Sequence, residues 1–209
     1  MTNIRPRQLN APRWPWKNRI LNGYPTVVER EPAPWMPELV SCYDWTDLEE
    51  QRTPYPGEGR CSRDMKSIFT TAVRMYGYER LYLELSAGNN VFALIGGEMR
   101  RWLSRLLAVA CIDWVLIGDD IAHNGGLFMP PALLQPLFGE YQAMRQLGRD
   151  HGALSVYHSD GDVTGAWPQL SGCADKFLFQ KSLVRLNGDR ILDHTAEMEW
   201  ASYPVREQT

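Results

Sequence analysis

The chain has 209 residues, 44% of them hydrophobic, and a formal net charge of −3 at pH 7, which predicts a globular protein with a substantial core. The weakly acidic balance, 22 Lys and Arg against 25 Asp and Glu, is untypical of nucleic-acid-binding proteins. The longest uncharged apolar run, Leu106–Ile112, is too short to span a membrane, and the first twenty residues lack the apolar core of a signal peptide. We therefore expect a cytoplasmic protein with neither a nucleic-acid nor a membrane partner.

The first 64 residues are rich in proline and tryptophan. Proline fixes φ and lacks an amide donor, so no sustained helical or strand period is expected in this segment. The interleaved tryptophans, Trp14 and Trp45 among them, favour packing against a larger body because aromatic rings are rarely left in water. We therefore expect residues 1–64 to form an irregular, mostly extended segment that packs on a domain formed by residues 65–209.

Residues 65–112 have the apolar spacing of two long helices. The first, Met65–Leu85, is interrupted by Gly77, and the second, Asn90–Cys111, contains the pair Gly96–Gly97. Because each glycine inside a helix costs about 1 kcal/mol relative to alanine, the pair predicts a break in the second helix.

Two short apolar runs with a helix between them come next. Trp114–Gly118 and Ala153–Tyr157 are typical of buried strands, and the helix Ala132–His151 begins after prolines, which suit a first helical turn. Two weaker units are expected to follow. In the first, a short helix at Trp167–Gly172 precedes Lys176–Phe179, and in the second, Ser182–Leu186 leads into Arg190–Asp193. This alternation of helices and strands indicates an α/β fold with a parallel sheet.

Polar residues follow both central strands, at the ends where parallel β/α folds build their sites. Asp119 and Asp120 follow the first strand. Because successive strand side chains point to opposite sides, at most one of them faces a pocket while the other caps a turn. His158 and Asp160 follow the second strand two residues apart and therefore share a face. An imidazole and a carboxylate on one face can hold a metal, move a proton or bind a polar substrate.

The same residues have plainer interpretations. Asp119 and Asp120 can be solvated loop residues, His158 can bond a backbone carbonyl, and Asp160 can form a turn with the glycine that follows it. His123, in the loop after Asp120, is a further candidate, although a lone histidine is more often a surface residue.

Three segments in one region resemble the uroporphyrinogen decarboxylase family. They are Gly118–Gly126 (GDDIAHNGG), Pro130–Leu134 and His158–Gly161 (HSDG), which occur in the family's order with one helix between the first and the last. Upstream, Tyr76–Leu81 is similar to the helix that precedes them in the family. The resemblance covers roughly residues 70–165 and is carried by the paired motifs together.

This resemblance implies a TIM barrel with its site at the carboxyl face of the sheet. The family includes tetrapyrrole decarboxylases, which need no cofactor, and zinc-dependent methyltransferases that serve corrinoid systems. By resemblance, the catalytic residues are Asp119, Asp120 and His158, and the substrate-binding residues are His123, Asn124 and Asp160. His158 and Asp160 also fall where the methyltransferases hold zinc, with Asp160 in place of a cysteine ligand.

The function that we expect from this resemblance is methyl transfer in a corrinoid-linked system. The substrate would be a small molecule or a tetrapyrrole or corrinoid, with a corrinoid protein as a partner. One alternative is cofactor-free decarboxylation of tetrapyrrole acetate side chains, although the arginine-rich amino-terminal signature of that branch has no counterpart here. The other alternative is a non-catalytic truncated barrel that acts as an accessory subunit.

The length bears on how much of a barrel the chain can form. A complete eight-unit barrel takes about 250 residues, whereas the regular portion after residue 65 has room for about four or five units. Either the irregular first 64 residues hide further strands, or the chain is a truncated barrel, and we expect a partial or shortened TIM-barrel-like parallel β/α fold. Such a sheet has two open edges, which are usually covered or paired, and this predicts a homo-oligomer.

Overall fold

The computed structural model describes residues 2–21, 24–30, 35–46, 48, 60–62 and 67–180. The strands are, in chain order, β1 (Thr2–Asn3), β2 (Arg7–Gln8), β3 (Trp16–Leu21), β4 (Tyr24–Arg30), β5 (Tyr43–Asp44), β6 (Arg60–Ser62), β7 (Trp114–Gly118), β8 (Ala122–His123), β9 (Gly126–Leu127), β10 (Leu154–Asp160) and β11 (Lys176–Gln180). The α-helices are α1 (Ile68–Tyr76), α2 (Tyr78–Ser86), α3 (Val91–Val109), α4 (Pro131–Asp150) and α5 (Trp167–Leu170).

The main sheet has five strands within the described residues, in the order β1-β6-β7-β10-β11. Every neighbouring pair is parallel, and each strand lies beside the sheet strand that precedes it in the chain. This sequential order is that of a β/α barrel, in which strand and helix alternate around the sheet. The predicted α/β class, with a partial barrel-like parallel sheet, is confirmed.

The first 64 residues contribute more regular structure than the sequence predicts. β1 and β6 belong to the main sheet, β3 and β4 form an antiparallel hairpin, and β2 pairs with β5. The predicted tryptophan anchoring is seen at Trp45, which is buried and whose ring centroid lies 5.8 Å from that of Trp102. The prediction of an irregular segment is therefore wrong for these strands, and a proline does not prevent the pairing, since Pro25 lies within β4 opposite Ile20. The domain division at residues 64 and 65 stays a prediction.

The predicted interruption at Gly77 is confirmed. Gly77 has φ +78°, a left-handed conformation that glycine adopts without steric cost, and it separates α1 from α2. The break predicted at Gly96–Gly97 is wrong, since α3 continues through both residues. A side chain at position 96 would collide with the Glu140 carboxylate of α4. Gly96 therefore leaves room for the Glu140 side chain against α3, and the helix continues through it despite the low helix propensity of glycine.

The second half of the sheet matches the predicted pattern closely. β7 has the predicted bounds, while β10 begins one residue later than predicted and continues through Asp160. β11 and α5 lie at the predicted positions. The second weaker unit, Ser182–Leu186 leading into Arg190–Asp193, lies outside the described residues.

One hydrophobic cluster joins the sheet to its helices. Its fully buried members include Leu103 and Leu106 of α3, Leu137 and Phe138 of α4, and Val115 of β7. α3 and α4 pack against each other along the sheet. Within the part of the chain that the structure describes, none of the helices has the length and apolar character that crossing a bilayer requires.

Candidate functional site

The carboxyl ends of β7 and β10 lie side by side. The two strands are parallel and in register, with His158 opposite Gly118. The Asp119 amide extends this pairing by donating to the His158 carbonyl at 2.9 Å. The polar residues that follow the two strands therefore meet at one edge of the sheet, as the sequence predicts.

Asp119 points into the core and binds the start of α1. Its Oδ2 accepts hydrogen bonds from the Phe69 amide (2.6 Å) and the Tyr141 hydroxyl (2.7 Å). Its Oδ1 accepts from the Thr70 amide (3.1 Å) and the Thr70 hydroxyl (3.3 Å). Ser67, the residue at the N-cap position, makes no side-chain capping bond. Asp119, 50 residues away in the chain, thus acts as the N-terminal cap of α1 by accepting hydrogen bonds from its first backbone amides.

The charge on Asp119 is governed by burial. The residue is 1% exposed, and desolvation raises the pKa of its carboxyl to about 6, although the bonds from Phe69, Tyr141 and Thr70 each favour the charged form. Burial, together with the negative charge of Asp119, also raises the pKa of Tyr141 and of Tyr157 well above the ordinary tyrosine value. With both oxygens bound by protein donors, Asp119 serves as a helix cap, and the catalytic role expected for it stays a prediction.

Asp120 points the opposite way and meets His158 and Asp160. Its Oδ1 accepts a hydrogen bond from the Asp160 amide at 2.9 Å, and His158 Nε2 lies 3.9 Å from Asp160 Oδ1. One ligand atom from each of the three side chains lies within 4.8 Å of the others. Both carboxylates are exposed and His158 is half-buried. We call these three residues the acidic–imidazole cluster.

The side chains of the acidic–imidazole cluster fit a divalent cation. Two ligands about 2.1 Å from one ion lie at most about 4.2 Å apart, so the observed spacing needs only a small rotation of an exposed carboxylate. Two carboxylates and an imidazole suit zinc and other first-row divalent metals, with positions left open for a further ligand. The predicted pair His158 and Asp160 thus gains Asp120 as a third candidate ligand.

The turn proposed in the plainer interpretation of Asp160 is formed by a different residue. Asp162 Oδ1 accepts a hydrogen bond from the Thr164 amide at 2.9 Å, which is the pattern of an Asx turn. Asp160 belongs to β10 instead, and its side chain remains available to the acidic–imidazole cluster.

His123 and Asn124 lie in the β8–β9 hairpin, and both are exposed. The Gly125 amide donates to His123 Nδ1 at 3.0 Å, and the Asp162 amide donates to the His123 carbonyl at 2.9 Å. Gly161, at φ +84°, lies so close that an added Cβ would be 2.6 Å from the His123 amide nitrogen. This close approach holds the hairpin against the end of β10, next to the acidic–imidazole cluster.

Two aromatic residues, Phe128 beside His123 and Tyr78 beside Phe128, were not identified from the sequence. The Phe128 ring centroid lies 5.3 Å from that of His123 and 5.5 Å from that of Tyr78. Phe128 lies inside the segment between the motifs and Tyr78 begins α2. Neither position has a spacing that would distinguish it from an ordinary core aromatic.

The arrangement defines a class of protein, a parallel β/α protein with carboxylate and imidazole groups at the carboxyl ends of adjacent strands. No family model matches the sequence, and no curated protein matches it. A solved structure of a methyltransferase from Methanosarcina mazei is similar, with 14% sequence identity and a TM-score of 0.47 over 62% of this chain and 38% of that chain. This chain therefore spans less than two fifths of that protein, and so distant a likeness assigns no activity. The resemblance to the uroporphyrinogen decarboxylase family stays a prediction.

Proposed function

We propose that the protein is an enzyme of the methyltransferase type that uses a divalent cation held by Asp120, His158 and Asp160. The observation that carries this proposal is the convergence of the three ligand atoms within 4.8 Å of one another. They converge at the carboxyl edge of a parallel sheet, where β/α folds place their chemistry. The expected reaction is transfer of a methyl group between a small-molecule acceptor and a corrinoid-linked system.

The chain's own residues would fix the orientation of the cation's ligands. The hydrogen bond from the Asp160 amide restricts rotation of the Asp120 carboxylate, and β10 holds His158 and Asp160 on one face of the sheet. A cation bound there would supply Lewis-acid polarisation of the methyl acceptor. Because Asp160 offers a hard oxygen in place of a soft thiolate, we propose an acceptor that binds through oxygen or nitrogen.

The test of this proposal is cation binding, measured by isothermal titration calorimetry with Zn²⁺ and Mn²⁺ after dialysis against a chelator. We expect stoichiometric binding to the wild type and at least about tenfold weaker binding to His158→Ala and Asp120→Asn. His151→Ala is the matched control, because His151 is an exposed histidine at the end of α4 whose Nδ1 is 2.9 Å from the Leu147 carbonyl.

The result decides between an enzyme and an accessory subunit. Equal affinity in the wild type, His158→Ala and His151→Ala would refute the metal-dependent proposal and favour the non-catalytic reading. If the cation binds as expected, methyl transfer from methylcobalamin to a small acceptor is then measured with and without the cation. Methyl transfer that persists in His158→Ala would show that the acidic–imidazole cluster does not carry the reaction, and would refute the proposal.

A further inference from the structure

Three exposed rings form a continuous surface at the β8–β9 hairpin, which follows Asp120 in the chain. They are Tyr78, Phe128 and His123, which we call the aromatic shelf. Tyr78 is 49% exposed and Phe128 is 38% exposed, although aromatic side chains of this size are usually buried in the hydrophobic core. Large apolar side chains that gather on a surface, rather than lying scattered, are typical of binding sites.

The rings of the shelf contact one another and a buried base. Phe128 lies between its neighbours, with ring-centroid distances of 5.5 Å to Tyr78 and 5.3 Å to His123. Beneath it, the buried Phe69 stacks at 6.0 Å with an interplanar angle of 17°. Since Phe69 is at the start of α1 and its amide is bound by Asp119, the shelf has a rigid foundation.

The shelf and the acidic–imidazole cluster share one loop. The Phe128 amide donates to the Ile121 carbonyl at 3.0 Å, and Ile121 directly follows Asp120. His123 is two residues further on, in the hairpin held against the end of β10. The loop that carries Phe128 and His123 is therefore joined through its backbone to the ends of β7 and β10, the two strands that carry the cluster.

His123 supplies a directed hydrogen-bond donor on this surface. Because the Gly125 amide donates to Nδ1 at 3.0 Å, Nδ1 acts as the acceptor and the proton of the neutral ring is on Nε2. The Nε2–H group takes no part in the Gly125 hydrogen bond and can donate to an acceptor on a ligand. The shelf thus combines ring faces with one donor at its margin.

We propose that the aromatic shelf binds a planar aromatic acid as the substrate of the site, with its ring against Phe128 and Tyr78 and its carboxylate accepting a hydrogen bond from His123 Nε2. Aromatic side chains favour flat aromatic ligands, because offset-stacked and edge-to-face ring contacts stabilise a complex by more than the burial of the same apolar area. This inference rests on the proposed function for its chemistry, since it names the class of molecule that would lie beside the cation.

The test is binding of benzoate to the chelator-treated protein, followed by NMR through ring-current shifts and saturation transfer. Cyclohexanecarboxylate is the matched ligand, because it has the same charge and a similar size but no flat ring. We expect benzoate to bind at least roughly fivefold more tightly than cyclohexanecarboxylate, the change that corresponds to one aromatic contact.

Variants locate the binding surface. Tyr78→Leu and His123→Leu should each weaken benzoate binding by roughly fivefold. Tyr82→Leu is the matched control, because Tyr82 is 47% exposed on the same helix one turn further on. Both tyrosine variants replace a half-exposed ring on the surface, so Tyr82→Leu also reports any general effect on folding.

The outcomes separate this inference from the proposed function. Benzoate binding is measured without a cation, so failure of the metal site leaves it unchanged, and failure of the shelf leaves cation binding unchanged. Equal affinities for benzoate and cyclohexanecarboxylate, absence of benzoate binding, or equal effects of Tyr78→Leu and Tyr82→Leu would each overturn the assignment of the shelf.

Discussion

The buried carboxylate that caps α1 makes the stability of the protein depend on pH in a defined direction. Burial raises the pKa of Asp119 from the ordinary 3.8 to about 6 in the folded protein. The folded state therefore holds this proton more tightly than the unfolded chain does, and the free energy of unfolding falls as the pH rises from about 4 to about 6. The contribution is fully present below pH 4 and lost above pH 6.

The size of the effect follows from the shift in pKa. A shift of roughly two units corresponds to about 3 kcal/mol over the full window, at about 1.36 kcal/mol per unit. Between pH 4.5 and pH 7, where urea titrations are practical, about 2 kcal/mol of this change is accessible. In Asp119→Asn the side chain no longer titrates. The free energy of unfolding of this variant, relative to that of the wild type, should therefore change by this amount between pH 4.5 and pH 7.

The assay is urea unfolding of the wild type and Asp119→Asn at several pH values, with a chelator present so that no cation contributes. Comparing the two proteins at each pH cancels the other titrating groups. Asp150→Asn is the control, because Asp150 is exposed at the end of α4 and accepts a hydrogen bond from the Gln146 side chain at 2.7 Å. Tyr141→Phe removes a donor to the charged form and should therefore steepen the pH dependence.

A difference in the free energy of unfolding between the wild type and Asp119→Asn that stays constant from pH 4.5 to pH 7 would refute a raised pKa for Asp119. A difference that moves in the opposite direction would show that the hydrogen bonds to Asp119 outweigh its desolvation. In that case the cap would behave as an ordinary ionised carboxylate, and protonation would release α1.

Gly97→Ala should stabilise the protein by about 1 kcal/mol, because the added Cβ meets only the Arg100 side chain, at 3.9 Å. Gly96→Ala should bring no such gain, because its Cβ would collide with the Glu140 side chain. Thermal unfolding of the two variants checks this, and a larger gain for Gly96→Ala would contradict it. Burial alone would raise the pKa of Asp175, but hydrogen bonds from the protein, among them one from the Ser155 amide at 2.9 Å, hold the pKa below its usual range. Its contribution to stability is therefore present above the ordinary carboxyl pKa and lost as the pH falls below it, so Asp175→Asn should unfold with a weaker acid dependence, measured by circular dichroism.

Local sequence was sufficient to predict the strands on which the candidate site is built. β7 is a five-residue apolar run between two polar positions, and its bounds were predicted without error. α3 shows where local propensity fails, because Gly96 looks like a break in the sequence yet serves a close contact with α4. Such contacts depend on which helix lies alongside, and that information is spread over the chain.

The candidate site was predictable to the extent that it depends on spacing within a strand. The two-residue spacing of His158 and Asp160 placed them on one face, and the structure shows this. Choosing Asp120 over Asp119 as their neighbour required the register between β7 and β10, which the sequence does not contain. The binding of Asp119 to the start of α1 spans 50 residues and leaves no local signal.

Nearly every group of the candidate site comes from one contiguous piece of chain. β7, the β8–β9 hairpin, α4 and β10 follow one another between Trp114 and Asp160, which is the extent of a single β-α-β unit. The acidic–imidazole cluster and two of the three rings are encoded in this stretch, and only Tyr78 is supplied from outside it. The chemistry could therefore be transplanted into another parallel-sheet scaffold as one cassette, with the remaining strands and helices acting as its support.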